Sequence, residues 1–181
     1  LALARSDAAA RTLASLGAEV LRGDLDDVAA LQRGVADSDA TVHAAAPVLG
    51  GADWPAFHAA NVAPTEALAT IAARHGARLV YLSSVAVYGR RNTYAGGRNS
   101  VTEDFGLDQP AFPGDHYARS KREAEQALWR VAEATGLRAV ALRPCVIYGE
   151  GDRQFAPRVA AVLRIGRGIA PLLGRGDNLL S

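Results

Sequence analysis

The sequence predicts an α/β protein built on a doubly wound parallel sheet. Short apolar stretches typical of buried strands alternate with stretches of helical pattern along almost the whole chain. This alternation is the order of βαβ units, in which helices cover both faces of the sheet. Crossovers in such units are right-handed, and ligands bind at the carboxyl ends of the strands.

The composition is that of one soluble globular domain. The 181 residues are 49% apolar and 22% charged, and the formal net charge of +1 points to neither a nucleic-acid nor a membrane partner. No apolar run reaches the length of a transmembrane helix. The single cysteine, Cys145, excludes an internal disulfide and fits a reducing compartment, so we expect a cytoplasmic protein.

Both ends of the sequence read as interrupted elements. The chain contains no methionine and begins with Leu1-Ala2-Leu3-Ala4, which resembles a strand already in progress. It ends, over residues 174–181, inside a stretch that reads as a hairpin. We therefore expect residues 1–181 to form a partial domain.

Apolar runs and the residues that break them define the elements in order. Strands are predicted at 1–4, 18–21, 41–46, 78–84, 138–142 and 169–173. Helices are predicted at 8–16, 27–33, 56–74, 117–134 and 155–164. Ser6 or Asp7 can cap the first helix, and Pro64 is expected to kink the third.

Two features follow from this order of elements. The irregular stretch from Gly89 to Asp115 is long enough to be functional or disordered. The residues that follow the strands are expected to converge at one edge of the sheet. These residues are Arg5, Asp24, Ala45, Ser84 and Pro144.

Tyr117 and Lys121 stand four residues apart at the start of a long predicted helix, and therefore on one helix face. An ammonium near a phenol stabilises the ionised phenol, which can then act as a general acid or base. Lys121 is the only lysine among 20 Lys and Arg residues, which favours a role that arginine cannot fill. A surface pair without function is the alternative interpretation.

Six segments resemble, in order, motifs of the extended short-chain dehydrogenase/reductase family, which includes sugar-nucleotide epimerases and dehydratases. They are Gly23–Leu25, Val42–Ala46, Asn61–Thr65, Leu82–Gly89, Tyr117–Lys121 and Leu142–Gly149. The resemblance covers nearly the whole chain and implies a Rossmann-like domain. The first strand and the glycine-rich phosphate loop of that fold are missing here. We therefore expect residues 1–181 alone to bind cofactor poorly, with most of the substrate-binding portion beyond Ser181.

The resemblance implies an NAD(P)-dependent enzyme that transfers hydride at a carbinol or carbonyl carbon of a small molecule. The implied catalytic residues are Ser84, Tyr117 and Lys121. Tyr117 would be the acid/base, Lys121 would stabilise its ionised form and bind the nicotinamide ribose, and Ser84 would hold the reacting oxygen. Ser83 is a second candidate for the serine role. Ser84 could instead be a strand-end residue that satisfies a backbone group.

The resemblance also implies a set of cofactor-binding residues. They are Arg5, Asp24, Leu25, Ala44, Ala45, Ala46, Asn61, Tyr117, Lys121, Pro144, Cys145 and Val146. Arg5 stands where an acidic residue would bind the ribose of NAD, and an arginine there can accommodate the 2′-phosphate of NADP, so NADP is slightly favoured. Asp24 could accept from the adenine amino group or cap the next helix.

Cys145 is expected to be a buried, unreactive thiol, and the histidines show no metal-ligand spacing.

The reaction type stays open at this point. Ser84 is followed by Val85 and Ala86, whereas the family's 4,6-dehydratases have an acidic pair there, so a dehydratase is disfavoured. An epimerase and a net ketone or alcohol oxidoreductase both remain, with a sugar nucleotide, a steroid, or a ketone or aldehyde as substrate. A dinucleotide-binding regulator or scaffold without catalysis is the alternative class. Helices 56–74 and 117–134 resemble those that pair subunits in the family, which suggests a homodimer.

Overall fold

The computed structural model describes residues 1–46, 53–89, 102–104, 106–107, 113–152 and 155–165. Within these ranges the strands are β1 (Ala2–Ala4), β2 (Val20–Arg22), β3 (Ala40–His43), β4 (Arg78–Leu82) and β5 (Ala139–Leu142). The predicted strand at 169–173 and the predicted hairpin at 174–181 lie outside the described residues. The other five predicted strands are all found, and β3 ends three residues earlier than predicted.

The helices also follow the predicted order. They are α1 (Asp7–Ser15), α2 (Val28–Ala36), α3 (Trp54–Phe57), α4 (Ala63–His75), α5 (His116–Thr135) and α6 (Phe155–Ile165). The predicted single helix at 56–74 is in fact α3 and α4, joined by a π-helical turn at His58–Val62. Pro64 follows this turn by two residues and has no amide hydrogen to donate to the preceding helical turn, so the irregularity lies next to the proline, where one was expected.

Acidic and hydroxyl side chains begin the helices. The Ser6 hydroxyl accepts a hydrogen bond from the Ala9 amide at the start of α1, as predicted. Asp27 caps α2 by accepting from the Ala30 amide. The alternative interpretation of Asp24 as the cap of this helix is therefore wrong. Asp24 instead accepts from the amide of Leu25, the next residue.

The strands form two parallel pieces of sheet in the described part of the chain. β1 pairs with β2, and β3, β4 and β5 pair in that order. In a doubly wound sheet the first strand lies between the second and the fourth strands of the fold. β1 and β3 occupy those two flanking positions, and both line one cavity of about 740 Å³. The predicted fold class, a Rossmann-like parallel sheet, is confirmed, and within the described residues no strand lies between β1 and β3.

One face of the three-stranded piece carries the core. Leu79 and Tyr81 of β4 pack against α4 and α5, and small residues such as Ala124 and Ala127 allow those two helices to lie close together. The opposite face exposes Val42 and Val140 in the part of the chain that the structure describes. Within the described residues, helices thus cover one face of this three-stranded piece. Pairing of two subunits through α4 and α5 stays a prediction.

Gly23, in the turn after β2, allows a close approach between this turn and helix α2. A Cβ at this position would lie 2.5 Å from the Cβ of Ala30 and 3.2 Å from Leu3 Cδ1. Because a methyl group on the backbone of a buried alanine cannot swing away, we expect Gly23→Ala to reduce the free energy of unfolding by about 1–3 kcal/mol. Urea denaturation measures this change.

Gly34→Ala is the matched control for this substitution. Its Cβ would meet only the flexible end of Leu21, at 3.1 Å, and the helix propensity of alanine offsets part of that crowding. We expect an effect within about 0.5 kcal/mol at this position. Equal losses in the two variants would contradict the proposed close contact.

Candidate active site

The residues that follow the strands lie in two groups. After β1 and β2, the Arg5 guanidinium approaches the Asp24 carboxylate, with 3.5 Å between Nη1 and Oδ2. After β4 and β5, the Val85 amide donates to the Pro144 carbonyl at 3.2 Å. Ala44 and Ala45 follow β3 and are exposed. The structure thus brings Ser84 close to the segment that begins at Pro144, and Arg5 close to Asp24.

Helix α5 brings Lys121 to the end of β4. Its Nζ donates to the Leu82 carbonyl at 2.8 Å and lies 4.9 Å from the centre of the Tyr81 ring. The side chain is only 3% exposed, and this burial lowers the pKa of Lys121 to about 8. Tyr117, one turn earlier on the same helix, is half-buried. An ammonium of this kind is close to its own titration near neutral pH.

The two serines after β4 point to different partners. Ser83 is buried, and its hydroxyl donates to the Glu125 carboxylate at 2.6 Å. Ser84 is half-buried, and its Oγ accepts from the Ala86 amide at 3.2 Å at the start of a 3₁₀ turn, Val85–Tyr88. The Ser84 hydroxyl therefore satisfies a backbone group, as its alternative interpretation stated, while its own proton is left for another acceptor. The Ser83 hydroxyl is committed to Glu125.

A buried ion pair one helical turn from Lys121 was not predicted from the sequence. Glu125, one turn further along α5, is completely buried, and Arg143 Nε donates to both of its carboxylate oxygens at 3.1 and 3.2 Å. Trp129 Nε1 also donates to this carboxylate, at 3.3 Å, and Arg143 Nη1 donates to the Tyr88 hydroxyl at 2.6 Å. Burial alone would raise the pKa of Glu125, but hydrogen bonds from Arg143, Ser83 and Trp129 hold it below its usual value.

One signal in the sequence could have found this pair. Glu125 continues the four-residue spacing of Tyr117 and Lys121, and Arg143 opens the segment that follows β5. Four-residue spacing places all three α5 side chains on one helix face.

A chain of hydrogen bonds links β3 to the start of α5. The Thr65 hydroxyl donates to the Asn61 carbonyl at 2.6 Å and lies 3.0 Å from His43 Nε2, which must therefore be the protonated ring nitrogen of a neutral imidazole. Asn61 Nδ2 donates to Ser120 Oγ at 2.8 Å, and that hydroxyl donates to the Tyr117 carbonyl. Desolvation by burial, followed by the charge of Lys121, lowers the pKa of His43 to about 4.

Part of the predicted cofactor set borders the gap between β1 and β3. Half of that set lines the same cavity of about 740 Å³: Arg5, Asp24, Leu25, Ala44, Ala45 and Ala46. The alanines present no long side chain at the end of β3, and the exposed Arg5–Asp24 pair is a weak one that leaves the guanidinium available. Because the first strand of the fold would fill much of this cavity, its volume is no measure of a cofactor site, and binding of a dinucleotide by these residues stays a prediction.

The other predicted cofactor residues lie elsewhere. Asn61 is buried, and its Oδ1 lacks a hydrogen-bonding partner within the described ranges. Pro144 is half-buried, whereas Cys145 and Val146 are exposed after β5. The expectation that Cys145 is buried is therefore wrong, because the apolar segment after Pro144 leaves the sheet instead of continuing it. Arg143 holds the start of this segment through its bonds to Glu125, close to the end of β4.

Comparison with known proteins identifies the class to which this fold and site belong. The model of the NAD-dependent epimerase/dehydratase family matches residues 1–179. The chain belongs to this family.

Individual relatives include reductases and a dehydratase. The chain is 36% identical over 164 residues to a 2-alkyl-3-oxoalkanoate reductase of Stenotrophomonas maltophilia, covering 90% of this chain and 48% of the relative. It is 34% identical to a dihydroquinoline-oxide ketoreductase of Stigmatella aurantiaca, covering 92% and 48%. The crystal structure of a dTDP-glucose 4,6-dehydratase from Streptomyces venezuelae with NAD bound superposes with a TM-score of 0.68 at 28% identity, covering 87% and 49%.

The chain spans about half the length of the curated relatives it matches. Among the described helices, none combines the length and the apolar character needed to cross a membrane.

His43 makes the stability of the fold depend on pH. The pKa of His43 is 6.5 in the unfolded state and about 4 in the folded state. Between these two pH values the unfolded state therefore binds more protons than the folded state. The neutral imidazole makes its whole contribution to the free energy of unfolding above pH 6.5. This contribution decreases as the pH falls towards 4. We expect a loss of about 2 kcal/mol of unfolding free energy between pH 7 and pH 5 from this group.

Urea denaturation at these two pH values, in the wild type and in His43→Gln, measures this contribution. The neutral amide should flatten the pH dependence in this interval, whereas His75→Gln, at an exposed histidine that ends α4, should leave it unchanged. A His43→Gln variant that loses stability as steeply as the wild type would refute the assignment.

Proposed function

We propose that this chain carries the reacting residues of an NAD(P)-dependent oxidoreductase that interconverts a carbonyl and a carbinol on a small molecule. The observation that carries the proposal is the position of Lys121, which α5 buries at the end of β4 with Tyr117 one turn before it. Ser84 follows the same strand and keeps a hydroxyl proton to donate.

The three residues divide the work in this proposal. Tyr117 donates a proton to the substrate oxygen during reduction, or accepts it during oxidation. Lys121 supplies a positive charge one helical turn from Tyr117 and binds the nicotinamide ribose. Ser84 donates to the same substrate oxygen and holds it within reach of Tyr117. Bound NAD(P) supplies or accepts the hydride.

Two observations favour a net oxidoreductase over the other reactions of the family. Val85 and Ala86 follow Ser84, so no acidic side chain stands beside it to eliminate water. The two relatives with the identities given above are named as reductases of a 3-oxo acid and of a ketone. The proposed substrate class is accordingly a ketone such as a 3-oxo acid, with its alcohol as product.

The proposed cofactor is NADP. Arg5 ends the first strand–helix turn of the chain with an exposed guanidinium, and the Ser6 hydroxyl stands next to it at the start of α1. A guanidinium at this turn can pair with a 2′-phosphate, whereas NAD would present only a hydroxyl there.

Tyr117→Phe tests the catalytic assignment. Removing the phenolic hydroxyl takes away the proton donor, so we expect kcat to fall by about 10²-fold or more while the cofactor Kd stays within about threefold. The assay follows oxidation of NADPH with a 2-alkyl-3-oxo ester, in protein made from the complete open reading frame that contains this chain. Tyr148→Phe, at a phenol that is 73% exposed, is the control. Undiminished turnover in Tyr117→Phe would remove Tyr117 as the acid/base.

Arg5→Ala tests the cofactor preference. A charged hydrogen bond contributes about 1.5–3 kcal/mol, so we expect NADPH affinity to fall roughly tenfold to a hundredfold with NADH affinity nearly unchanged. Arg11→Ala, on the exposed side of α1, should change neither affinity. An unaltered ratio of NADPH to NADH affinity would argue against NADP.

Mass spectrometry of dinucleotide released from the denatured protein gives a second measurement. Tightly held NAD would instead favour an epimerase, which must keep its cofactor through both half-reactions.

A further inference from the structure

The contacts of Glu125 tie helix α5 to the ends of two strands. Its carboxylate accepts from Ser83, which directly precedes Ser84 at the end of β4, and from Arg143, which directly follows β5. Glu125 is itself one turn from Lys121 and two turns from Tyr117. One carboxylate therefore connects the helix that carries two of the proposed reacting residues with the strand that carries the third.

The geometry of these contacts is restrictive. The Arg143 guanidinium reaches both carboxylate oxygens, and its Nη1 continues to the Tyr88 hydroxyl at the end of the 3₁₀ turn. A planar guanidinium on a carboxylate permits little sliding, because both groups must stay nearly coplanar. A shift of α5 along its axis by a fraction of a turn would break these bonds together.

The pair is also balanced in charge. Glu125 has no exposed surface, and Arg143 is largely buried beside it, so each charge is compensated by the other in a region of low polarity. The field of Glu125 extends to Tyr81, whose ring lies 4.9 Å from the Lys121 ammonium. Loss of either partner would leave an uncompensated charge close to that ammonium.

We infer that Glu125 is a positioning residue. With Arg143 and Ser83 it forms a hydrogen-bonded cluster of zero net charge, called the node below. This node fixes Tyr117 and Lys121 relative to Ser84, and its two opposite charges offset each other at Lys121. This inference rests on the proposed function of these three residues. Glu125 touches no reacting atom, and it acts through the groups that it holds.

Several titratable or charged groups lie on α5 and on the described elements of the site around it. They are Tyr117, Arg122 and Glu125 on α5, His43 on β3, Tyr81 on β4, Tyr88 on the 3₁₀ turn and Arg143 after β5. Burial lowers the pKa of His43 to about 4 and raises that of Tyr81, so both stay neutral at the pH where Lys121 titrates. Arg122 is charged as well and donates to the Val87 carbonyl, so the node supplies the two opposite charges whose balance a substitution of Glu125 changes while Arg122 stays in place.

Titration of Lys121 tests the inference directly. The complete protein is labelled with lysine carrying ¹³C at Cε, and the Lys121 resonance is assigned by its loss in Lys121→Arg. Glu125→Gln keeps the shape of the side chain but leaves the Arg143 charge uncompensated. We expect the Lys121 midpoint to fall by roughly one pH unit, the order of magnitude of the repulsion between two nearby, partly buried cations at an effective dielectric constant of about 20.

The double variant Glu125→Gln/Arg143→Met removes both charges and should return the midpoint to within about 0.3 units of the wild type. Glu123→Gln is the matched control, because it removes a carboxylate from the same helix, but from an exposed pair with Arg119. Its midpoint should not move. A Glu125→Gln midpoint equal to that of the wild type, or a double variant that stays shifted, would overturn the inference.

Ser83→Ala tests the positioning role without changing any charge, and serves where Glu125→Gln does not fold. It removes one hydrogen bond from the carboxylate, so we expect kcat with the 2-alkyl-3-oxo ester to fall about three- to tenfold with an unchanged cofactor Kd. Unaltered kcat would count against positioning. A wild-type protein without turnover would contradict the proposed function alone, and the Lys121 midpoint would still decide whether the node balances the field.

Discussion

The packing of helix α5 on the ends of β4 and β5 is the constraint on which the site depends. Lys121 is bound to the Leu82 carbonyl, Glu125 to Ser83, and Arg122 Nε to the Val87 carbonyl at 3.1 Å. Three side chains of one helix thus reach three successive parts of the segment that leaves β4. Apolar packing holds the helix on the sheet but permits sliding, whereas directed hydrogen bonds fix its position along its own axis.

The polar groups in this interface need not add stability beyond that of a wholly apolar core, but their directed bonds favour a single arrangement. Burying an ion pair costs desolvation energy that the attraction between its charges only partly offsets, so a well-packed hydrophobic substitute can be equally stable. Such a substitute would not fix the position of Lys121 at the end of β4. It would also not bind the Ser83 hydroxyl, which leaves Ser84 as the serine with a proton to donate. The buried side chains around α5 are better explained by a need for position than by a need for stability.

Most of the fold could be predicted because its elements are local. The strands are short apolar runs and the helices begin at Ser6, Asp27, Asp53 and Asp115, so composition and caps identify them. An irregularity at Pro64 was predicted, but its form as a π-helical turn was not, since Ala59, Ala60 and Asn61 include no helix breaker of their own. The Glu125–Arg143 pair was missed because its partners are 18 residues apart on different elements, and a glutamate in a helix usually faces solvent. Cys145 was misplaced because an apolar segment after a strand reads as buried.

The presence of lysine instead of arginine at position 121 follows from this environment. Within the described residues the buried ammonium has one hydrogen-bond acceptor, the Leu82 carbonyl, and the face of Tyr81. A guanidinium carries five donors in a rigid plane and stays charged at every accessible pH, so burial there would leave several donors without acceptors. An ammonium needs fewer partners, and its pKa near 8 lets a small change in field alter its charge. The single lysine of a chain rich in arginine therefore stands where the difference between the two cations matters most.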